Sequence, residues 1–117
     1  MRIERELMRG AGPVAVLKLL ERREMYGYEL VEALSRRSDG VLAMGQSTLY
    51  PMLYNLEAKG LIESSERAAP SGRDRRYYRL TRKGRTQLER QSQQWAALTR
   101  TMQVLGILPG PAAEASA

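Results

Sequence analysis

Ser47, Thr48, Tyr50, Tyr54 and Asn55 place four hydroxyls and one amide on a short stretch that carries almost no charge. Such groups do no covalent chemistry unaided. They donate and accept hydrogen bonds, and with Gln46 just ahead of them they match what phosphate oxygens and base edges offer in a DNA groove. Leu49, Met52, Leu53 and Leu56 fall at i, i+3, i+4 and i+7 of the same stretch, so it reads as a helix with its other face buried. The plainer alternative is an amphipathic helix capped by Ser47 or Thr48. Pro51 lacks an N–H and fits only a first turn, so the helix is expected to begin at Ser47 or Thr48 with a tightened first turn. Gly60 is the expected C′ residue beyond its end.

A second set of side chains is cationic. Between residues 73 and 90 stand Arg73, Arg75, Arg76, Arg79, Arg82, Lys83, Arg85 and Arg90, against only Asp74 and Glu89. The whole chain carries +6 with a pI of about 10.1. That balance favours a polyanion, nucleic acid first and an acidic membrane surface second. Guanidinium groups on a mobile loop neutralise phosphates and release counterions, which supplies affinity without sequence preference.

Absences narrow the chemistry further. The chain has no Cys and no His, which removes disulfides, thiolate metal sites, the commonest general base and the commonest transition-metal ligand. Acids such as Asp39 and Glu63 have no partner motif, so neither an enzyme nor a cofactor is expected. No apolar run approaches the ~20 residues of a membrane span, and the first residues lack the apolar core of a signal peptide. The cytoplasm is the expected location.

The elements that must position these groups follow in chain order. Residues 2–9 read as a short helix with Ile3, Leu7 and Met8 on one side, too short to stand alone and needing the body or a second subunit. Gly10, Gly12 and Pro13 interrupt it, with Pro13 suited to a new first turn. A helix over residues 14–23 then carries Val14, Val16, Leu17, Leu19 and Leu20 as a broad apolar face. Residues 25–28 form a joint around Gly27, and a helix over about 27–37 buries Leu30, Val31 and Leu34. After the Ser47 helix the period changes to two. Residues 61–67 and 75–80 read as the strands of a hairpin with a basic tip holding Pro70 and Gly72. Arg76, Tyr78 and Leu80 share one face; Arg75, Tyr77 and Arg79 share the other. Thr81 is a plausible N-cap for a last helix to about residue 104 or 105. Leu88, Trp95 and Met102 recur every seven residues on it, and Gln91, Leu98 and Leu105 follow each by three. That is a coiled-coil-like seam flawed at Gln91.

Three helices and then a hairpin is the order of a winged helix-turn-helix. The expected fold is therefore mainly α (α+β), with a two-stranded β wing and a C-terminal dimerisation helix. The expected division is a winged-helix domain at 1–80, a dimerisation helix at 81–106 and a disordered tail at 107–117. On this reading double-stranded DNA and a second copy of the chain are the partners. A winged helix that docks an acidic protein is the competing class, since fold alone does not give function.

Three motifs carry a family resemblance: Met25, Tyr26, Gly27, Tyr28, Glu29 and Leu30 in succession; Ser47, Thr48, Leu49, Tyr50 and Pro51, with Leu56, Glu57, Gly60, Leu61 and Ile62 behind them; and the run from Arg75 through Thr81 to Gly84. In this order and spacing, across roughly residues 11 to 84, the chain resembles the PadR family of bacterial transcriptional regulators, in its short type. The resemblance implies a DNA-binding regulator with a C-terminal dimerisation helix, usually a repressor; a homodimer with two recognition helices about one DNA turn apart would call for a pseudo-palindromic operator. By position, Ser47, Thr48, Tyr50 and Pro51 would open the recognition helix. Tyr26 and Tyr28 would pack against that helix, Tyr28 near the DNA backbone, and Arg73, Arg75 and Arg76 would form the wing. Gln46, Tyr54 and Asn55 complete the expected DNA-contacting set.

The resemblance also implies an aromatic residue at the dimer interface of short members, where it can stack on flat aromatic or cationic ligands. Trp95 occupies that position. It is either dimer packing or the platform of a small-molecule effector site with Met8, Leu17, Gln91 and Leu98, toward which Glu4 and Glu6 would draw a cation. The expected dimer contacts are Ile3, Leu7, Leu88, Trp95, Leu98, Met102 and Leu105.

Overall fold

The computed structural model describes residues 1–110, so most of the tail expected to be disordered lies outside the described residues. The elements are α1 (Arg5–Arg22), β1 (Met25–Tyr26), α2 (Gly27–Arg37), α3 (Gln46–Ala58), β2 (Ile62–Ala68), β3 (Asp74–Leu80) and α4 (Arg82–Val104). The fold is mainly α with a β wing. Its sheet has three antiparallel strands in the order β1-β3-β2, one more than the expected hairpin. The joint at Met25 and Tyr26 pairs with Tyr78 and Tyr77, and two residues are too few to show a period of two in sequence.

The first helix also departs from expectation. One continuous helix, α1, runs through Gly10, Gly12 and Pro13, where the sequence reads as two. Pro13 removes one ladder hydrogen bond, at the cost usual for a helix interior. Packing offsets it: Val16, Leu17, Leu19 and Leu20 are buried beyond the proline, and Gly12 lies so close under the Met52 thioether that a Cβ would approach Met52 Cε to 2.7 Å.

Leu30, Leu34, Leu49, Leu53, Leu56, Ile62, Tyr78 and Leu80 complete the core with the α1 residues. On β3 the alternation holds, since Tyr78 and Leu80 face inward and Arg79 outward. Gly60, with φ at 76°, closes α3. Its N–H donates to the Glu57 carbonyl at 2.9 Å and that of Leu61 to the Leu56 carbonyl at 3.0 Å, a Schellman closure.

Thr81 caps α4 as expected. Its Oγ1 accepts from the Gly84 N–H at 3.0 Å and donates to the Gly60 carbonyl at 2.7 Å. A Cβ on Gly84 would run into the Leu61 carbonyl, so only glycine lets the first turn of α4 lie against this loop. That close approach carries Leu88 into the chain's own core at 3% exposure. Leu88 is therefore not available to a partner, contrary to its place in the expected dimer seam. Beyond it α4 leaves the body. Trp95 is 39% and Leu98 44% exposed, and Leu105 is exposed. At the far end Ile107 and Leu108 donate to the Met102 carbonyl at 2.9 and 3.2 Å, behind Gly106 with φ at 82°. The first residues of the expected tail thus close the C-terminal end of α4, behind its C-cap Leu105.

Candidate nucleic-acid interface

Helix α3 buries Leu49, Leu53 and Leu56. The opposite stripe is Ser47, Pro51 and Tyr54, with Thr48 and Asn55 on one flank; all are exposed, Tyr54 to 73%. Gln46 is exposed as well. The helix starts earlier than expected, with Gly45 at the N-cap. The Gly45 carbonyl accepts from both Thr48 N at 3.1 Å and Leu49 N at 3.0 Å, which is the tightened first turn. Capping is thus done by backbone alone, with no side-chain cap hydrogen bond. The Ser47 and Thr48 hydroxyls keep their hydrogen-bonding capacity for an external partner. Pro51 falls inside α3 rather than in its first turn. It sits on the exposed side, where water can satisfy the carbonyl it leaves without a partner.

Tyr50 does not join this stripe. It is half-buried against the core, and its hydroxyl lies where a Cβ on Gly27 would be. Gly27 is where α2 begins, so this contact sets the spacing of the two helices of the helix-turn-helix. Tyr28 is 51% exposed. Glu32, as hydrogen-bond acceptor and negative neighbour, pushes its phenol above the ordinary value. Tyr26 packs on the wing. Its ring meets Tyr77 edge-on at 5.5 Å and lies under the Arg75 guanidinium at 4.4 Å, because strand pairing turns it toward the wing.

The three wing arginines have different surroundings. Arg73 is exposed at the tip, with no ion pair among the described residues. Arg75 is half-buried over Tyr26. Arg76 pairs with Glu66 at 2.9 Å and donates to Ser64 Oγ at 2.8 Å. The sequence reading missed the acids that do this. Glu63 and Glu66 on β2 stand directly across from Arg79 and Arg76, and Glu24 chelates Arg67, which holds its carboxyl below the usual range. The cross-strand rule would have found the first two once the register was known.

The expected effector and dimer residues separate in one chain. Leu17 and Gln91 line a groove of about 510 Å³ between α1, α3 and α4, together with Arg9, Met52, Asn55, Lys59 and Lys83. Met8, Trp95 and Leu98 lie outside it. Gln91 Oε1 is buried there with no donor among the described residues. The groove's charged lining is basic, so within one chain it does not suit a cation. Ile3 and Met102 are half-buried and Leu7 exposed.

The model of the PadR-like family of transcriptional regulators matches residues 16–90. A transcriptional regulator of Mycobacterium tuberculosis, Rv3488, is 40% identical over 84 residues, 72% of this chain and 75% of that one. A PadR family regulator from Eggerthella lenta superposes with a TM-score of 0.76 at 35% identity, covering 86% of this chain and 85% of its own. A PadR-like regulator from Bacillus cereus gives 0.74 at 30% identity, covering 91% and 99%. These matches span the helix-turn-helix, the wing and the start of α4 together. The chain belongs to the PadR-like family of transcriptional regulators.

Proposed function

We propose that the chain is a homodimeric repressor that reads a pseudo-palindromic operator through α3 and is released by a flat aromatic or cationic ligand stacking on Trp95. The observation that carries the reading is the exposed, nearly uncharged stripe of Gln46, Ser47, Thr48, Tyr54 and Asn55. Hydroxyls and amides of this kind recognise base edges and phosphates; an acidic protein partner would seek charges instead. Dimerisation is supported by the projecting half of α4. The radius of gyration is 16.5 Å, against about 13 Å for a compact domain of this length, and Trp95, Leu98, Val104 and Leu105 are left uncovered on that arm. Two copies related by a two-fold axis would present their α3 helices about 34 Å apart, one DNA turn.

The test is a salt titration of binding to the intergenic duplex upstream of the gene and to a random duplex. The expected result is at least about 10³-fold preference for the former at physiological salt, with affinity for both falling steeply as salt rises. Equal affinity would sink specific regulation.

The effector step has its own measurement. An aromatic compound that quenches Trp95 fluorescence is expected to weaken operator binding, with reciprocal loss of its own affinity in the presence of operator. Unchanged operator affinity at saturating compound would remove the effector and leave the DNA reader standing.

A further inference from the structure

We propose that the wing offers phosphate a single cation, Arg73 at its tip, and that Arg75 and Arg76 are positioning residues bracing the wing against α2 and α3. This rests on the reading of the chain as a duplex-DNA binder. The tip is shaped by backbone alone: Ala69 N–H donates to the Arg73 carbonyl at 2.8 Å and Gly72 N–H to the Ala69 carbonyl at 2.9 Å. The Arg73 guanidinium is exposed, with neither an ion pair nor a ring partner among the described residues.

Arg75 belongs to a ladder across all three strands. Its guanidinium lies 4.4 Å from the centre of the Tyr26 ring, Tyr26 meets Tyr77 at 5.5 Å, and Arg67 lies 4.8 Å over Tyr77. Arg67 then grips Glu24 through Nη2 to Oε2 at 2.7 Å. Both ends of the ladder reach the segment that leads into α2, since Tyr26 is the N-cap of that helix and its N–H donates to Glu29 at 3.1 Å.

Arg76 belongs to a second brace. Glu57 of α3 accepts from Ser64 Oγ at 2.7 Å, Ser64 accepts from Arg76 Nη1 at 2.8 Å, and Arg76 Nη2 holds Glu66 at 2.9 Å. A phosphate at Arg76 would face the Glu66 carboxylate, and the Arg75 guanidinium is half-buried with one face covered by the Tyr26 ring. Stacking fixes the plane of the Arg75 guanidinium, and hydrogen bonds to Ser64 and Glu66 use both terminal nitrogens of Arg76. Two braces on two sides of the sheet fix where Arg73 stands relative to the exposed stripe of α3.

Salt dependence separates the two roles, because only a phosphate contact changes its slope. The full chain and its variants are titrated by fluorescence anisotropy against a mixed-sequence duplex of about 30 bp, from roughly 50 to 300 mM salt. Arg73→Ala is expected to lower the slope of log K against log salt by about one contact. Arg75→Met and Arg76→Gln are expected to leave the slope at the wild-type value. Arg75→Met should also stay within about threefold of wild-type affinity, since a thioether packs on the Tyr26 ring in place of the guanidinium. Tyr26→Leu should lower affinity by a salt-independent two- to fivefold, the size of one exposed cation–π contact, and should not add to Arg75→Ala. The assignment is overturned if Arg75→Met or Arg76→Gln lowers the slope as Arg73→Ala does, or if Arg73→Ala leaves it unchanged. A wild-type chain that does not bind the duplex at all overturns the DNA-binding reading, and this assignment with it.

Discussion

Leu98→Asp is expected to yield a folded monomer that has lost operator binding by roughly 10²–10⁴-fold, the usual gain from linking two binding modules. Leu98 lies on the projecting half of α4 and is 44% exposed, so the carboxylate leaves the chain's own core intact. In a dimer the same carboxylate would be desolvated beside its symmetry copy, an arrangement that disfavours association strongly. Light scattering should then report a particle near 13.2 kDa. The melting temperature should lose its dependence on protein concentration, which association imposes on the wild type. Binding to random DNA should fall far less, because the wing and α3 of each chain are untouched. A Leu98→Asp protein that scatters as a dimer and keeps its operator affinity would place the interface elsewhere.

Gly84→Ala should be the most damaging single methyl in the described chain. Alanine is the better helix former by up to about 1 kcal/mol, so propensity alone argues for stabilisation. Sterics oppose it. The added Cβ would overlap the Leu61 carbonyl and approach Leu80 Cδ1 at 2.7 Å. The Leu61 carbonyl cannot retreat freely, because it accepts from Thr81 N–H at 3.1 Å, and Thr81 caps α4. Overpacking of this kind costs about 1–3 kcal/mol, more than propensity returns. At roughly 4–8 °C per kcal/mol, the melting temperature by far-UV circular dichroism should fall by roughly 5–15 °C. An unchanged or raised melting temperature would mean that the start of α4 can slide on the sheet, and with it the burial of Leu88.

Both substitutions act on α4, and they show where sequence reading succeeds and where it stops. The Thr81 cap, the Gly60 C′ closure, α2 and the alternation on β3 were all legible, because each depends on residues within one or two turns of chain. The seven-residue recurrence of Leu88, Trp95 and Met102 was legible too, but it could not say that Leu88 packs inward while Trp95 stays open. That difference depends on how far α4 rides over the Leu61 loop, which Gly84 decides through space. Pro13 misled for the same reason: its local cost is real, and the packing of Gly12 under Met52 that offsets it links residues far apart in the chain.

The sequence by itself determined the succession of α2, α3, the hairpin and α4, the uncharged hydrogen-bonding stripe of α3 and the basic character of the hairpin, since composition and periodicity state what each element must bury and expose. Only the tertiary structure decided how the wing's charge is distributed. Glu24 and Arg67 are 43 residues apart, Tyr26 meets Arg75 only because β1 joins the sheet, and Arg76 is neutralised by register. Sequence counts the arginines of the wing; which of them keeps an open guanidinium depends on neighbours that strand pairing brings within about 5 Å, the range over which a cation and an aromatic ring or a carboxylate hold one another.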